Sequence, residues 1–134
     1  MTMYLTPLER ALDRLKEGWA RHVAHPDDEQ LRDGLIQRFE FTYELSHKTL
    51  KRFLEANAAS PEEYDRMGFP DLIRSANEAG LLKSAWPQWS VFRKMRNMTS
   101  HTYNEASAKQ VVAEIPAFIE EAAFLLAVLK ERTA

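Results

Sequence analysis

Apolar residues recur every three or four positions along most of this chain, and that spacing places them on one face of an α-helix. The earliest stripe consists of Leu8, Leu12, Leu15, Trp19 and Val23. No segment shows the convincing period-two alternation that is typical of a half-buried strand. The 134 residues include only 4 glycines and 6 prolines, so few positions interrupt the helical pattern. The sequence therefore predicts an all-α fold.

Breaks in this pattern divide the chain into four substantial amphipathic helices. They are predicted over about 6–25, 28–56, 84–100 and 107–132. One or two short helices are expected in the middle connection, between Ser60 and Gly80. Short connections between long helices favour antiparallel neighbours. We therefore expect a single domain that spans the whole chain, 1–134, and folds as an antiparallel up-and-down four-helix bundle.

Local signals set the predicted helix ends. The segments that begin at Thr6 and Ser107 both have the spacing of a capping box, so these two residues are expected to cap the first and last helices. The third long helix is expected to begin at Ser84 or Pro87. Pro116 lies inside the last helix, where a proline should kink the helix or mark a junction of two helices.

Composition removes several classes of protein. No apolar run approaches the roughly 20 residues of a membrane-spanning helix, and residues 1–10 lack the layout of a signal peptide. The chain has no cysteine, which excludes disulfides and thiolate zinc sites and fits a cytoplasmic location. The formal net charge is −2, so nucleic-acid binding would need a local basic patch.

Metal and cofactor motifs are weak in this sequence. A di-iron bundle needs two Glu-x-x-His motifs, and Glu44-x-x-His47 is the one match. A second group of candidate ligands, at the end of the first helix, comprises His22, His25, Asp27 and Asp28. Polar residues are expected at a helix end in any case. The sequence also lacks a glycine-rich phosphate loop, so we expect no resident metal or cofactor.

The segment 92–103 is unusual because its polar residues fall on one side of a helix. At about 100° per residue, one face carries Arg93, Arg96, Asn97, Ser100 and His101. Apolar residues occupy most of the opposite arc. The polar face has no carboxylate of its own, so it predicts an anion site in which Arg93, Arg96 and Ser100 bind phosphate. The simpler alternative is an ordinary solvated helix face.

An arginine and a histidine together can cleave RNA without a metal ion. A guanidinium is always charged and matches phosphate geometry, and an imidazole titrates near neutral pH. Arg96 could stabilise the extra charge on phosphorus, His101 could carry the proton, and Asn97 could orient either side chain. Trp86 and Trp89 could stack bases, although aromatic residues at a helix start usually belong to the core.

The spacing Arg96-x4-His101-x-Tyr103 resembles the Arg-x4-His-x-Tyr signature of HEPN domains. The surrounding stretch 96–105 is similar to the signature of one HEPN subfamily, the nucleotidyltransferase substrate-binding proteins. The stretch 39–50 on the second helix is similar to another of their segments. The likeness covers nearly the whole chain in matching order.

This resemblance implies a homodimer in which the arginine and histidine of both subunits meet in a cleft. It also implies a small nucleotidyltransferase as partner, and in such toxin–antitoxin pairs the HEPN member is a ribonuclease toxin. The partner silences the toxin, in some cases by adenylylating the signature tyrosine. Arg96 would then bind phosphate, and His101 would be the acid–base group. Asn97 would position these side chains, and Tyr103 would be the residue that the partner modifies. His47 departs from the family, which often has tryptophan there.

Three possibilities remain open, of which the first two are functions from different classes. The first is a metal-independent endoribonuclease, and retention of Arg96 and His101 favours it. The second is a non-catalytic subunit that binds a nucleotide or another substrate for the nucleotidyltransferase, and a third is a bundle that only dimerises. In a dimer, two copies of the basic face would repel each other across the axis unless an anion bridged them. That repulsion favours a phosphate ligand, either RNA or a nucleotide.

Overall fold

The computed structural model describes residues 3–134, and its secondary structure is helical, as predicted. Within those residues there are six α-helices and one 3-10 turn, and there is no strand. The helices are α1 (Thr6–Ala24), α2 (Glu29–Ala56), α3 (Glu63–Arg66), α4 (Phe69–Glu78), α5 (Trp86–Met98) and α6 (Glu105–Thr133), and the 3-10 turn is Thr99–His101. The all-α prediction is confirmed, and both short helices lie in the middle connection.

The four long helices pack around one buried core. α1 contacts α2 and α6, α2 also contacts α6, and α5 packs on α6. These contacts are compatible with a four-helix bundle. The short helix α4 closes one side by packing on α2 and α5. Aromatic rings fill the centre, where Phe39, Phe92 and Trp89 all contact Phe118. This core fixes the side of α5 that faces inward and therefore the side that remains exposed.

Thr6 and Ser107 do not cap their helices as predicted, whereas the predicted start of the second helix is confirmed. Thr6 is the first helical residue of α1 and its side chain makes no cap. α6 starts two residues before Ser107, because the Asn104 side chain accepts hydrogen bonds from the backbone of Ala106 and Ser107. The predicted start of the second helix is confirmed, since Asp28 accepts from Leu31 and caps α2.

Pro116 does not divide the last helix. α6 runs without interruption from Glu105 to Thr133 and contains this proline. Ile115 and Phe118, on either side of it, are both fully buried. Tertiary packing of these neighbours holds the helix together where one backbone hydrogen bond is missing, because most helical stability in proteins comes from such packing. Of the two predicted outcomes, a kink or a junction of two helices, the junction is therefore wrong.

The connection before α5 is held by a buried carboxylate. Glu121 of α6 is only 1% exposed, and its Oε2 accepts hydrogen bonds from the backbone N–H of Lys83 at 2.7 Å and of Ser84 at 3.4 Å. Gly80 ends α4 with a φ of 77°, a left-handed conformation that glycine adopts at little cost. These contacts fix the point at which α5 begins.

Candidate functional site

The predicted site residues all lie on α5 or in the short segment that follows it. Arg93, Arg96 and Asn97 belong to α5, Ser100 and His101 belong to the 3-10 turn, and Tyr103 lies in the turn before α6. All are exposed except Arg96, which is partly buried. The structure therefore gathers these residues at one end of α5, where a ligand can reach them.

The α-helix ends two residues earlier than predicted, at Met98. The hydroxyl of Thr99 lies 2.7 Å from the carbonyl oxygen of Arg96 and 2.8 Å from a carboxylate oxygen of Glu40. A threonine hydroxyl that bonds to a nearby carbonyl competes with the helical backbone pattern. Ser100 and His101 therefore continue the chain as a 3-10 turn.

Arg96 is paired with a carboxylate that its own helix does not carry. Its Nε donates to Oε1 of Glu44 on α2 at 2.6 Å, and both side chains are partly exposed. The expectation of an unbalanced basic face is thus wrong at this position, because a neighbouring helix supplies the charge. The bond uses one of the five N–H donors of the guanidinium. The other four lie on the two Nη atoms.

Arg93, one turn before Arg96, has a different environment. Its guanidinium lies over the ring of Phe69 on α4, 5.2 Å from the ring centroid. This cation–π contact fixes the side chain without neutralising its charge. Within residues 3–134, neither Arg93 nor its neighbour Lys94 forms an ion pair. This part of the face remains basic, as predicted.

A shallow groove of about 360 Å³ runs along this basic part of the face. Its lining consists of Trp86, Ser90, Arg93, Lys94, Asn97 and Met98. Trp89 does not contribute, because its side chain is only 1% exposed and belongs to the core. Of the two tryptophans considered for base stacking, Trp86 is therefore the one that a ligand can contact.

Two tyrosines near the site differ sharply in accessibility. Tyr103 is 89% exposed, and its ring lies 6.5 Å from that of His101. Tyr43 on α2 is 4% exposed, and burial raises the pKa of its hydroxyl well above the usual value, although Arg93 and Arg96 act against that rise. An enzyme that modifies a tyrosine here can reach Tyr103 and not Tyr43.

The Glu44-x-x-His47 pair is engaged in contacts that do not involve a metal. Glu44 binds Arg96, and the His47 ring packs edge-on against Phe69 at 4.9 Å. Burial lowers the pKa of His47. Among residues 3–134, no three His, Asp or Glu side chains are grouped closely enough to hold a metal ion. In the same range, none of the helices is both long enough and apolar enough to cross a membrane.

The family described as nucleotidyltransferase substrate binding protein like matches residues 3–131. The chain belongs to this family. A relative in Haemophilus influenzae, probable ribonuclease HepT, is 43% identical over 99 residues, which make up 74% of this chain and 67% of HepT. The family resemblance predicted from the Arg96-x4-His101-x-Tyr103 spacing is confirmed.

Two solved structures resemble this member of the family. One, from Haemophilus influenzae, is described as revealing the fold of a substrate binding domain of a nucleotidyltransferase; its TM-score is 0.88 at 35% identity, over 95% of this chain and 99% of that chain. The other, from Thermus thermophilus, has a TM-score of 0.67 at 30% identity, over 91% and 98% of the two chains.

Sequence reasoning missed three residues that shape the site in this family member. Glu40 and Glu44 lie one turn apart on α2 and contact Thr99 and Arg96. Phe69 contacts Arg93 from outside the predicted face. A helical projection of one helix cannot show such contacts. Two signals were available for the glutamates: their spacing of four residues on the second helix, and their place in the stretch 39–50 that resembles a segment of the family.

Proposed function

We propose that this chain is the HEPN-type partner of a small nucleotidyltransferase and acts as a metal-independent endoribonuclease toxin. The observation that carries the proposal is the arrangement at the end of α5. Arg96 is held at Nε by Glu44, while His101 beyond it is exposed. The 43% identical relative named probable ribonuclease HepT supports the same reaction class.

The reaction we propose is transfer within the RNA strand. His101, as a general base, takes the proton of a ribose 2′-hydroxyl, and the 2′-oxygen attacks the adjacent phosphorus. The bond from phosphorus to the 5′-oxygen breaks, that oxygen receives a proton from a protonated histidine, and a 2′,3′-cyclic phosphate and a 5′-hydroxyl remain. The Nη groups of Arg96 stabilise the extra negative charge on phosphorus. Asn97, on the same face, orients the phosphate or the imidazole.

We further propose that the site is completed by a second copy of the chain. One imidazole cannot be base and acid at the same instant, and a two-fold dimer brings a second His101 to the same cleft. Glu44 makes this assembly less costly than the arginines alone would, because each Arg96 enters the cleft with a carboxylate beside it. Arg93, Arg96 and Ser100 then bind phosphate from both sides.

Tyr103 is the site at which the nucleotidyltransferase silences the toxin. Its hydroxyl oxygen attacks the α-phosphorus of ATP, the bond from the α-phosphorus to pyrophosphate breaks, and the products are AMP-tyrosine, pyrophosphate and a proton released to solvent. The 89% exposure of Tyr103 and its contact with the His101 ring support this role, because a nucleotide there would block the cleft.

Incubation with the partner and ATP should add one AMP to the wild type but not to Tyr103→Phe. Tyr4→Phe is the control, since Tyr4 is also exposed, at 76%, and mass lost in that variant would contradict the assignment.

The decisive experiment replaces the proposed acid–base group. His101→Ala should lower RNA cleavage by roughly 10²- to 10⁴-fold, the usual contribution of general acid–base catalysis. Cleavage by the wild type should persist in EDTA, and growth should recover when the variant replaces the toxin in cells. His25→Ala is the matched control, because His25 is an exposed histidine at the end of α1. Equal cleavage by His101→Ala and the wild type would overturn the ribonuclease proposal.

The alternative is a non-catalytic subunit that binds a nucleotide or substrate for the nucleotidyltransferase. The description of the similar Haemophilus influenzae structure as a substrate binding domain favours it. In that case neither the wild type nor His101→Ala cleaves RNA, and addition of the wild type increases the activity of the nucleotidyltransferase on its substrate. Measuring both activities with the same preparations separates the two functions.

A further inference from the structure

The groove on α5 adjoins the proposed catalytic end of the face and shares Asn97 with it, but it extends back along the helix to Trp86. All its lining residues come from α5, so it opens away from the helices that pack against α5. Trp86 and Met98 lie at its two ends, and polar side chains lie between them. None of the lining residues is acidic, whereas the Arg96 end carries Glu44. The groove therefore offers positive charge and an aromatic ring to a ligand.

Phe69 holds two walls of the groove in place. Trp86 packs edge-on against its ring with the centroids 6.0 Å apart, and Arg93 lies over the same ring at 5.2 Å. Neither side chain therefore has to be ordered when a ligand binds, which lowers the entropic cost of binding. Lys94, which is exposed and unpaired within residues 3–134, adds a second cation beside Arg93.

The distance along the helix defines the size of ligand that fits. Trp86 precedes Arg96 by ten residues, which corresponds to about 15 Å along the axis of an α-helix. A stacked nucleic-acid strand advances about 3.4 Å per nucleotide, so this distance spans roughly four nucleotides and fewer in an extended strand. A dinucleotide held at Arg96 cannot reach Trp86, and a longer strand can.

We propose that this groove binds the single-stranded RNA that flanks the phosphate held at Arg96. A base stacks on the exposed surface of Trp86, and the cations of Arg93 and Lys94 contact the intervening phosphates. Aromatic stacking with adjacent positive charge is how proteins grip single strands without reading a sequence. The position of the cut relative to this strand rests on the proposed ribonuclease function, but the binding itself does not.

Binding of uncleavable RNA tests the groove apart from catalysis. The probes are 2′-O-methyl oligoadenylates, a hexanucleotide and a dinucleotide, titrated into the dimer or monomer as purified. Trp86→Ala should weaken hexanucleotide binding about tenfold, the loss expected for one base–aromatic stack. Dinucleotide affinity should change far less, and Trp86→Phe should restore most of the hexanucleotide affinity. A general structural defect would weaken both probes together.

A second variant leaves the aromatic packing intact. Lys94→Ala should lower the slope of log affinity against log salt by about 0.7 for the hexanucleotide, the value for one phosphate contact on a single strand. Lys16→Ala on α1 is the matched control, because Lys16 is exposed outside the groove. An unchanged slope in Lys94→Ala would contradict the phosphate contact.

Two results would overturn the groove proposal. One is equal hexanucleotide affinity for folded Trp86→Ala and the wild type. The other is dissociation of a dimer by Trp86→Ala in sedimentation, which would make the groove an interface between copies of the chain. The ribonuclease proposal has a separate test: cleavage by His101→Ala that equals cleavage by the wild type would overturn it. That result would not affect the measured binding of the hexanucleotide to the groove.

Discussion

The two ends of the polar face of α5 use their positive charge differently. At the C-terminal end, Arg96 is paired with Glu44, and Glu40 binds the following threonine. At the N-terminal end, Arg93 is held by an aromatic ring and Lys94 has no ion pair within residues 3–134. One end thus has oriented but largely balanced charge, and the other has net positive charge.

The difference separates two tasks of a positive charge, which are to point a guanidinium in one direction and to attract a phosphate. A carboxylate beside an arginine weakens the attraction for phosphate, yet a charge-assisted hydrogen bond holds the guanidinium in one direction. Orientation matters most where charge develops in a transition state. Net positive charge matters most for drawing an anionic strand to the surface. We therefore assign chemistry to the Arg96 end and affinity to the groove end.

The largest effect that tests this comparison is loss of the oriented arginine. Arg96→Ala should lower kcat for RNA cleavage by roughly 10²- to 10³-fold, the range seen when one stabilising donor is removed. Arg93→Ala is the matched variant, and it should act mainly by raising KM for long RNA. Both values come from steady-state cleavage of one fluorogenic oligonucleotide. Equal losses of kcat in both variants would mean that the two ends do not divide these tasks.

A smaller effect is expected when the carboxylate at the Arg96 end is neutralised. Glu44→Gln keeps the shape of the side chain but replaces a charge-assisted hydrogen bond by a neutral one about half as strong. KM should fall because a negative charge near the phosphate is gone, while kcat should fall about tenfold because Arg96 is less firmly oriented.

Glu40→Gln separates these two causes, because it removes the same charge from the next turn of α2 without touching the Arg96 bond. This variant should lower KM with a smaller change in kcat. A rise in KM for Glu44→Gln, with kcat unchanged, would contradict the positioning role of Glu44.

Most of the fold could be predicted because its signals are local. Helical periodicity together with sparse glycine and proline defined the four long helices to within a few residues. The failed details were competitions between local signals. Asn104 and Ser107 both suit a helix start, and the structure uses the earlier one. Pro116 breaks an isolated helix, but the buried residues beside it keep α6 intact.

The candidate site was predicted only as far as one helix can define it. The shared face of Arg93, Arg96 and His101 follows from their spacing, and their exposed positions agree with it. The partners of the arginines lie on α2 and α4. Glu44, the partner of Arg96, precedes it by 52 residues in the sequence. Whether Glu44 reaches α5 depends on how the helices pack, and no spacing within α5 encodes that.

The smallest effect concerns the groove end and its dependence on pH. Burial against Phe69 lowers the pKa of His47 below the unfolded value of 6.5. The unfolded chain therefore binds the proton more readily, so the stability that neutral His47 contributes is complete above about pH 6.5 and declines as pH falls towards the folded pKa.

His47→Phe keeps an aromatic ring against Phe69 and removes the titration. The melting temperature of the wild type should therefore fall more steeply than that of His47→Phe as pH drops from about 7 to about 5. Hydrogen exchange of the α4 backbone amides should become faster over the same pH range, because His47 packs against Phe69, the first residue of α4. The guanidinium of Arg93 lies over the same Phe69 ring. The control variant His25→Phe, at an exposed histidine, should leave the wild-type slope in place. Parallel melting curves for His47→Phe and the wild type would show that His47 is not what makes the groove end sensitive to acid.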